Sequence, residues 1–180
     1  MGWSEMAGDN LISRQFQSGW AAEVVPVIGK DYYKVLNWLI KNTKNTFDFT
    51  VFTSSINTGN RYHKINKLLL NLGYINKKND VKIRTVLFRG SKNNKIGKKN
   101  ERFAQKAIEN NLKVRFCAPG TFLHSKVMIS DNRYVLMGSH NFSSSSMSKH
   151  YETSILVESS HFADVFNKYF NNLWQQSTKY

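Results

Sequence analysis

Two short segments hold the residues best suited to chemistry: His124, Ser125, Lys126 and Asp131 in the first, and Gly138, Ser139, His140 and Asn141 in the second. On a strand, residues two apart share a face, so an extended segment beginning at His124 would point its imidazole and the Lys126 ammonium the same way. Ser139 and Asn141, also two apart, would bring a hydroxyl and an amide to the same spot from a neighbouring strand end, and Gly138 would let the backbone come close there. A cation with neutral donors can hold the non-bridging oxygens of a phosphodiester while an imidazole attacks phosphorus or shuttles a proton.

These groups need a scaffold, and the hydrophobic patterning supplies one. Strands are predicted over His124 to Ile129 and Tyr134 to Met137, paired as a hairpin across Ser130 to Arg133. Tyr32, Val35, Leu36, Leu39 and Ile40 follow a helical stripe, as do Ile65, Leu68, Leu69 and Leu72, with Gly73 at a helix stop. Thr46 to Ile56 and Val81 to Phe88 read as strands, Asn57 to Asn60 and Gly90 to Gly97 as loops, and Phe103 to Asn111 as a helix. Lys113 to Phe116 and Tyr151 to Val157 are further strands, and Phe162 to Leu173 is an amphipathic helix capped by Ser159 or Ser160. The order implies an α/β fold, a mixed β-sheet flanked by helices, forming one domain over residues 1–180 with 1–22 as a flexible N-terminal segment.

The composition limits the classes of function. The chain has 180 residues, 41% of them hydrophobic, which is enough for a core, and its single cysteine, Cys117, excludes an intrachain disulfide framework. Charges interrupt every apolar stretch, so no membrane-spanning segment or stable membrane anchor is expected, and a cytoplasmic location is the simplest reading. With 26 Lys and Arg against 12 Asp and Glu, the formal net charge of +14 points to a polyanionic partner.

HSKVMISD, then six residues, then GSHN resembles the HxKxxxxD and GSxN signature of the phospholipase D superfamily, with the spacing kept at every motif position. The resemblance runs over roughly Val25 to Val157 and includes Thr53 to Ile56, Asp80 to Phe88 and Glu152. It implies a phospholipase D-like α/β sandwich and, from the single motif copy, a homodimer in which two copies build one active site. It further implies that His124 of one copy attacks phosphorus and His124 of the other serves as acid and base, while Lys126, Ser139 and Asn141 hold the phosphate. Glu152 would accept a hydrogen bond from the His124 ring, and neither metal nor cofactor would be needed. Asp131 belongs to the motif, but its place at a hairpin turn suits a structural role. Where many relatives have Asn two residues before the acidic residue, this chain has His150.

Between Lys77 and Arg102 there are ten basic residues and two acids. Arg89, Lys92, Lys95, Lys98 and Lys99 there, with Arg61 from the Asn57 to His63 segment, are candidates for binding a nucleic-acid backbone, DNA or RNA, and Tyr62 for base stacking. His63, His140 and His161 take structural roles. Ser143 to Ser146 is either a helix cap facing anions or a polar loop. The function expected is a metal-independent phosphodiesterase, an endonuclease. One rival is a phospholipase acting on an anionic lipid such as cardiolipin, and another is a non-catalytic nucleic-acid-binding dimer.

Overall fold

The computed structural model describes residues 21–56, 63–91 and 94–180. Eight strands form one sheet: β1 Glu23–Ile28, β2 Thr46–Val51, β3 Lys82–Leu87, β4 Lys113–Phe116, β5 Val127–Ser130, β6 Tyr134–Gly138, β7 Thr153–Glu158 and β8 Thr178–Lys179. Four helices accompany them: α1 Asp31–Asn42, α2 Lys64–Asn79, α3 Lys95–Glu109 and α4 Ser160–Gln176. The spatial order is β1-β7-β6-β5-β2-β3-β4-β8. β2, β3 and β4 run parallel, through the crossovers that carry α2 and α3, and every other pairing is antiparallel. This is the mixed, helix-flanked sheet expected from the alternation of elements.

Side-chain alternation along β2 divides the interior. Phe47, Phe49 and Val51 join the core under α1, α2 and α3, with Leu36, Leu68, Phe103 and Phe142. On the opposite face Val86, Ile129 and Val135 pack under Ala163 and Phe170 of α4. That second face also buries Asp48, whose carboxylate takes two hydrogen bonds from Arg84 of the adjacent strand, 2.8 Å from Nε and 2.5 Å from Nη2. Arg84 in turn lies 5.1 Å from the Phe170 ring and 5.4 Å from the Trp174 ring, so a cation-π contact clamps α4 to the sheet.

Several boundaries differ from the sequence reading, each for a physical reason. α2 does not stop at Gly73: a Cβ there would lie 2.8 Å from Asn110 Oδ1, so the glycine permits a close approach inside the helix, which ends at the left-handed Asp80, φ 54°. α3 begins at Lys95, because the Asn94 side chain accepts from the amides of Ile96 and Gly97 and caps the helix within what composition marks as a loop. The strand starting at Thr46 ends at Val51, and the strand expected from His124 begins at Val127. β1, which starts at Glu23, and the two-residue β8 are strands that the sequence patterning does not predict. The flexible segment assigned to 1–22 and the loop at Asn57 to Asn60 fall mostly or wholly outside the described residues.

Candidate active site

The β5–β6 hairpin and the loop that follows build the site. Its turn places Asp131 and Asn132 at positive φ, 54° and 51°. The Asp131 carboxylate accepts from the backbone amides of Lys44, Asn45 and Thr46 at 2.7, 2.7 and 2.9 Å. It therefore fastens the hairpin turn to the α1–β2 connection, at the end of β5 away from His124. The structure does not bring Asp131 to the other motif residues.

At the opposite end of β5, His124, Lys126, Ser139, Asn141 and Glu152 line one cleft of about 450 Å³, together with Phe166 and Tyr169 of α4. His124 and Lys126 stand in the extended segment before β5. The His124 ring lies against Phe52, centroids 4.5 Å apart, and stacks at 20° on Phe122 at 5.8 Å. Lys126 is 7% exposed; its Nζ donates to the His124 carbonyl oxygen at 2.7 Å and lies 4.8 Å from the Phe52 ring centroid. Burial pushes its pKa below the ordinary lysine value, opposed by the Glu152 carboxylate. Between these two residues, Ser125 Oγ donates to Thr50 Oγ1 at 3.1 Å and is 3.0 Å from the Tyr169 hydroxyl, tying the segment to both β2 and α4.

β6 ends at Gly138, where a Cβ would lie 2.3 Å from Ser154 Oγ and 2.4 Å from the Thr153 carbonyl oxygen, so only glycine allows this approach to β7. Residues then alternate. Ser139 and Asn141 line the cleft, while His140 turns inward and is fully buried. The His140 Nδ1 lies 2.8 Å from Ser154 Oγ and its Nε2 2.9 Å from the Gly29 carbonyl oxygen, and the ring stacks on Tyr32 at 4.1 Å and 6°. Gly29 offers only an acceptor, so Nε2 carries the proton. Burial lowers the His140 pKa, consistent with a structural imidazole.

Glu152 is the electrostatic centre of the second strand end. Ser139 Oγ donates to Oε2 at 2.5 Å and Ser146 Oγ to Oε1 at 2.7 Å, while Ser146 Oγ also accepts from the Asn141 amide at 2.8 Å. Burial pushes the Glu152 carboxyl up, but the two serine hydroxyls and the nearby His140 and His150 imidazoles more than offset it, leaving the pKa below its ordinary value. His150 Nδ1 stands 3.7 Å from Oε1. Within one chain Glu152 makes no hydrogen bond to His124; its oxygens accept from Ser139 and Ser146. The serine run does not single out Ser146; residues 143–150 form a run of hydrogen-bonded turns that delivers this hydroxyl. The buried Asn141 Oδ1 has no hydrogen-bond partner.

The basic residues lie along the same end of the sheet. Asn100 of α3 accepts from the Ser54 amide and donates to the carbonyl oxygens of Phe52 and Phe88, both at 2.8 Å, which docks the helix where β2 and β3 end. Its first turns expose Lys95, Lys98 and Lys99. Arg89 is half-buried, its guanidinium 4.6 Å from the Phe116 ring. Arg61, Tyr62 and Lys92 lie outside the described residues. Among the described residues, no three His, Cys, Asp or Glu side chains cluster as a metal site requires, and no helix is long and apolar enough to cross a membrane.

Comparison with known proteins gives a family and a fold. Residues 36–174 match the family model described as Cardiolipin synthase, PLD-like domain. No curated protein matches the sequence. Among solved structures, Nuc from Salmonella typhimurium, described as a phospholipase D family member, is similar with a TM-score of 0.72 at 17% identity, over 89% of this chain and 99% of that one. NucT from Helicobacter pylori is similar with a TM-score of 0.67 at 14% identity, over 89% and 100%. The archaeal chromatin protein TrmBL2, described as showing a novel mode of DNA binding, has a TM-score of 0.59 at 16% identity, over 98% of this chain and 62% of that one.

Proposed function

The chain belongs to the PLD-like domain family of the phospholipase D superfamily, and on that premise we propose that it is a phosphodiesterase-type enzyme that hydrolyses nucleic-acid phosphodiester bonds in the cytoplasm as a homodimer. The observation that carries the reading is the convergence of His124, Lys126, Ser139, Asn141 and Glu152 on one cleft. In the proposed reaction a nitrogen of one His124 forms a bond to phosphorus as the bond from phosphorus to the leaving oxygen breaks. The second copy's imidazolium gives that oxygen its proton. Water then attacks phosphorus, the second imidazole takes a proton from it, and the phosphorus–nitrogen bond breaks to release the phosphomonoester.

Lys126 and the Asn141 amide donate to the phosphate in this scheme, and Ser139 joins them when its hydroxyl, which donates to Glu152 in the free chain, turns to a phosphate oxygen, so no step calls on a metal ion. Because Glu152 does not reach its own His124, the acceptor that orients each ring comes from the other copy of the chain. Support for nucleic acid over other diesters comes from the net charge of +14 and from Lys95, Lys98 and Lys99 at the cleft end of the sheet.

A lipid substrate is the second reading, favoured by the family description and by the exposed Phe122 and Tyr151 rings. One assay separates the two: hydrolysis of single-stranded DNA, duplex DNA, RNA and cardiolipin in EDTA, with His124→Ala alongside. Chelator-resistant cleavage of a nucleic acid, lost in the variant, is the expected result. Cleavage of cardiolipin alone overturns it in favour of the lipid reading, and salt-sensitive binding without turnover leaves a non-catalytic nucleic-acid-binding dimer. Sedimentation that finds a fully active monomer overturns the shared site.

A further inference from the structure

A second cleft, of about 340 Å³, is lined by Phe88, Arg89, Gly90, Ser91, Gly120 and Phe122 among others, and its Phe122 touches His124 of the first. Its size falls within the roughly 300–1,000 Å³ of small-molecule sites. Phe122 joins the two clefts: one side of its ring packs on Phe52 and Phe88, at 5.4 and 5.0 Å, and on His124, yet 67% of the residue stays exposed. An aromatic ring held in place by neighbours and open to solvent beside a reactive imidazole is a stacking platform.

Arg89 supplies the polar half. Its plane is fixed by the Phe116 ring at 4.6 Å and by an Nη2 hydrogen bond to Thr178 Oγ1 at 3.1 Å, while its buried Nε–H has no hydrogen-bond partner. A guanidinium held in place in this way can offer its remaining Nη protons to a phosphate oxygen. The first turn of α3 packs directly on this residue, since a Cβ at Gly97 would lie 2.0 Å from the Arg89 carbonyl oxygen. The cleft therefore sits between the candidate nucleophile and the exposed Lys95, Lys98 and Lys99.

We infer that this second cleft is a nucleotide subsite that makes the enzyme select single-stranded nucleic acid: Phe122 stacks the base next to the scissile phosphate and Arg89 takes the neighbouring phosphate. The inference rests on the phosphodiesterase reading above and adds the form of the substrate, because a base can stack on Phe122 only after leaving its own duplex stack.

The test uses the full chain in a non-cleaving His124→Ala background and measures binding of a labelled 12-nucleotide DNA strand, its duplex, and vesicles containing cardiolipin, across a salt series. Phe122→Ala is expected to weaken single-strand binding about tenfold with little change at the duplex, and Phe122→Trp to restore it. Arg89→Gln is expected to weaken single-strand binding and to lower the salt slope by roughly one phosphate contact. Single-strand affinity unmoved by both variants, or binding confined to vesicles, overturns the subsite. Hydrolysis of bis(p-nitrophenyl) phosphate by the wild type and its loss in His124→Ala are read separately. If they hold while the variants bind as the parent does, the phosphodiesterase reading stands and the subsite falls. If hydrolysis is absent while the variants lose affinity, the subsite stands as a binding site and the enzymatic reading falls.

Discussion

The Lys126 ammonium donates to the carbonyl oxygen of His124 at 2.7 Å, so the cleft's buried cation is oriented by the backbone of the residue that carries the imidazole. This bond occupies one of three ammonium protons and leaves the others for a substrate oxygen. It also helps fix the conformation of the extended segment in front of β5, which the Gly138 amide of β6 bonds only through the Lys126 carbonyl oxygen, at 3.4 Å.

Replacing this cation tests its role directly. Lys126→Met keeps an unbranched stem over Phe52 but removes the charge, and kcat/KM should fall by about 10²–10³ with the melting temperature nearly unchanged. Lys126→Arg should not restore the rate, because a planar fork cannot replace a compact donor at a position only 7% exposed. Steady-state rates beside thermal melts check both, and a variant that retains a tenth of the wild-type rate would remove Lys126 from the chemistry.

Glu152 should give stability a measurable pH dependence. Its folded pKa lies below the ordinary value of 4.5, so the folded state holds the ionised form more strongly than the unfolded chain does. The associated stability is fully present above about pH 4.5 and is lost as the pH falls through the depressed folded value. Urea unfolding at a series of acidic pH values should show Glu152→Gln with a flatter acid limb than the wild type. Identical slopes would mean that the Ser139 and Ser146 hydrogen bonds do not bias the carboxylate.

Asp131 belongs to the same sequence motif yet should behave differently. Asp131→Ala strips three backbone amides of their acceptor and leaves a non-glycine residue at φ 54°, so destabilisation of about 1–3 kcal/mol is expected. Its kcat per folded molecule should drop far less than that of Lys126→Met. Denaturant midpoints together with rates well below the melting temperature distinguish the two, and a loss of rate equal to that of Lys126→Met would place Asp131 in the chemistry.

How much of this was legible depended on whether the signal was local. The helical stripe in α4 and the β5–β6 hairpin could be read from spacing, and His124, Lys126, Ser139, Asn141 and Glu152 do share a cleft. The start of α3 is hidden from the sequence because Gly97 and the asparagines around it have the composition of a loop; Asn94 caps the helix and Asn100 anchors it through bonds to residues 46 and 48 positions earlier. The partners of Glu152 could not be read either, since a serine run looks alike whether it caps a helix or delivers one hydroxyl. β1 and β8 are sheet edges whose pairing comes from β7 and β4, so little in their own residues announces a strand.

His140 has an implication for protein engineering. Its ring bridges Ser154 on one strand and the Gly29 turn on the far side of the sheet's β1–β7 edge, while both of its sequence neighbours face the cleft. A loop transplanted from another member of the family, carrying a different side chain between the serine and the asparagine, would import the reactive groups intact but lose the keystone that sets their pitch. In this chain the cleft and the β1–α1 turn form one exchangeable cassette, and neither half is portable alone.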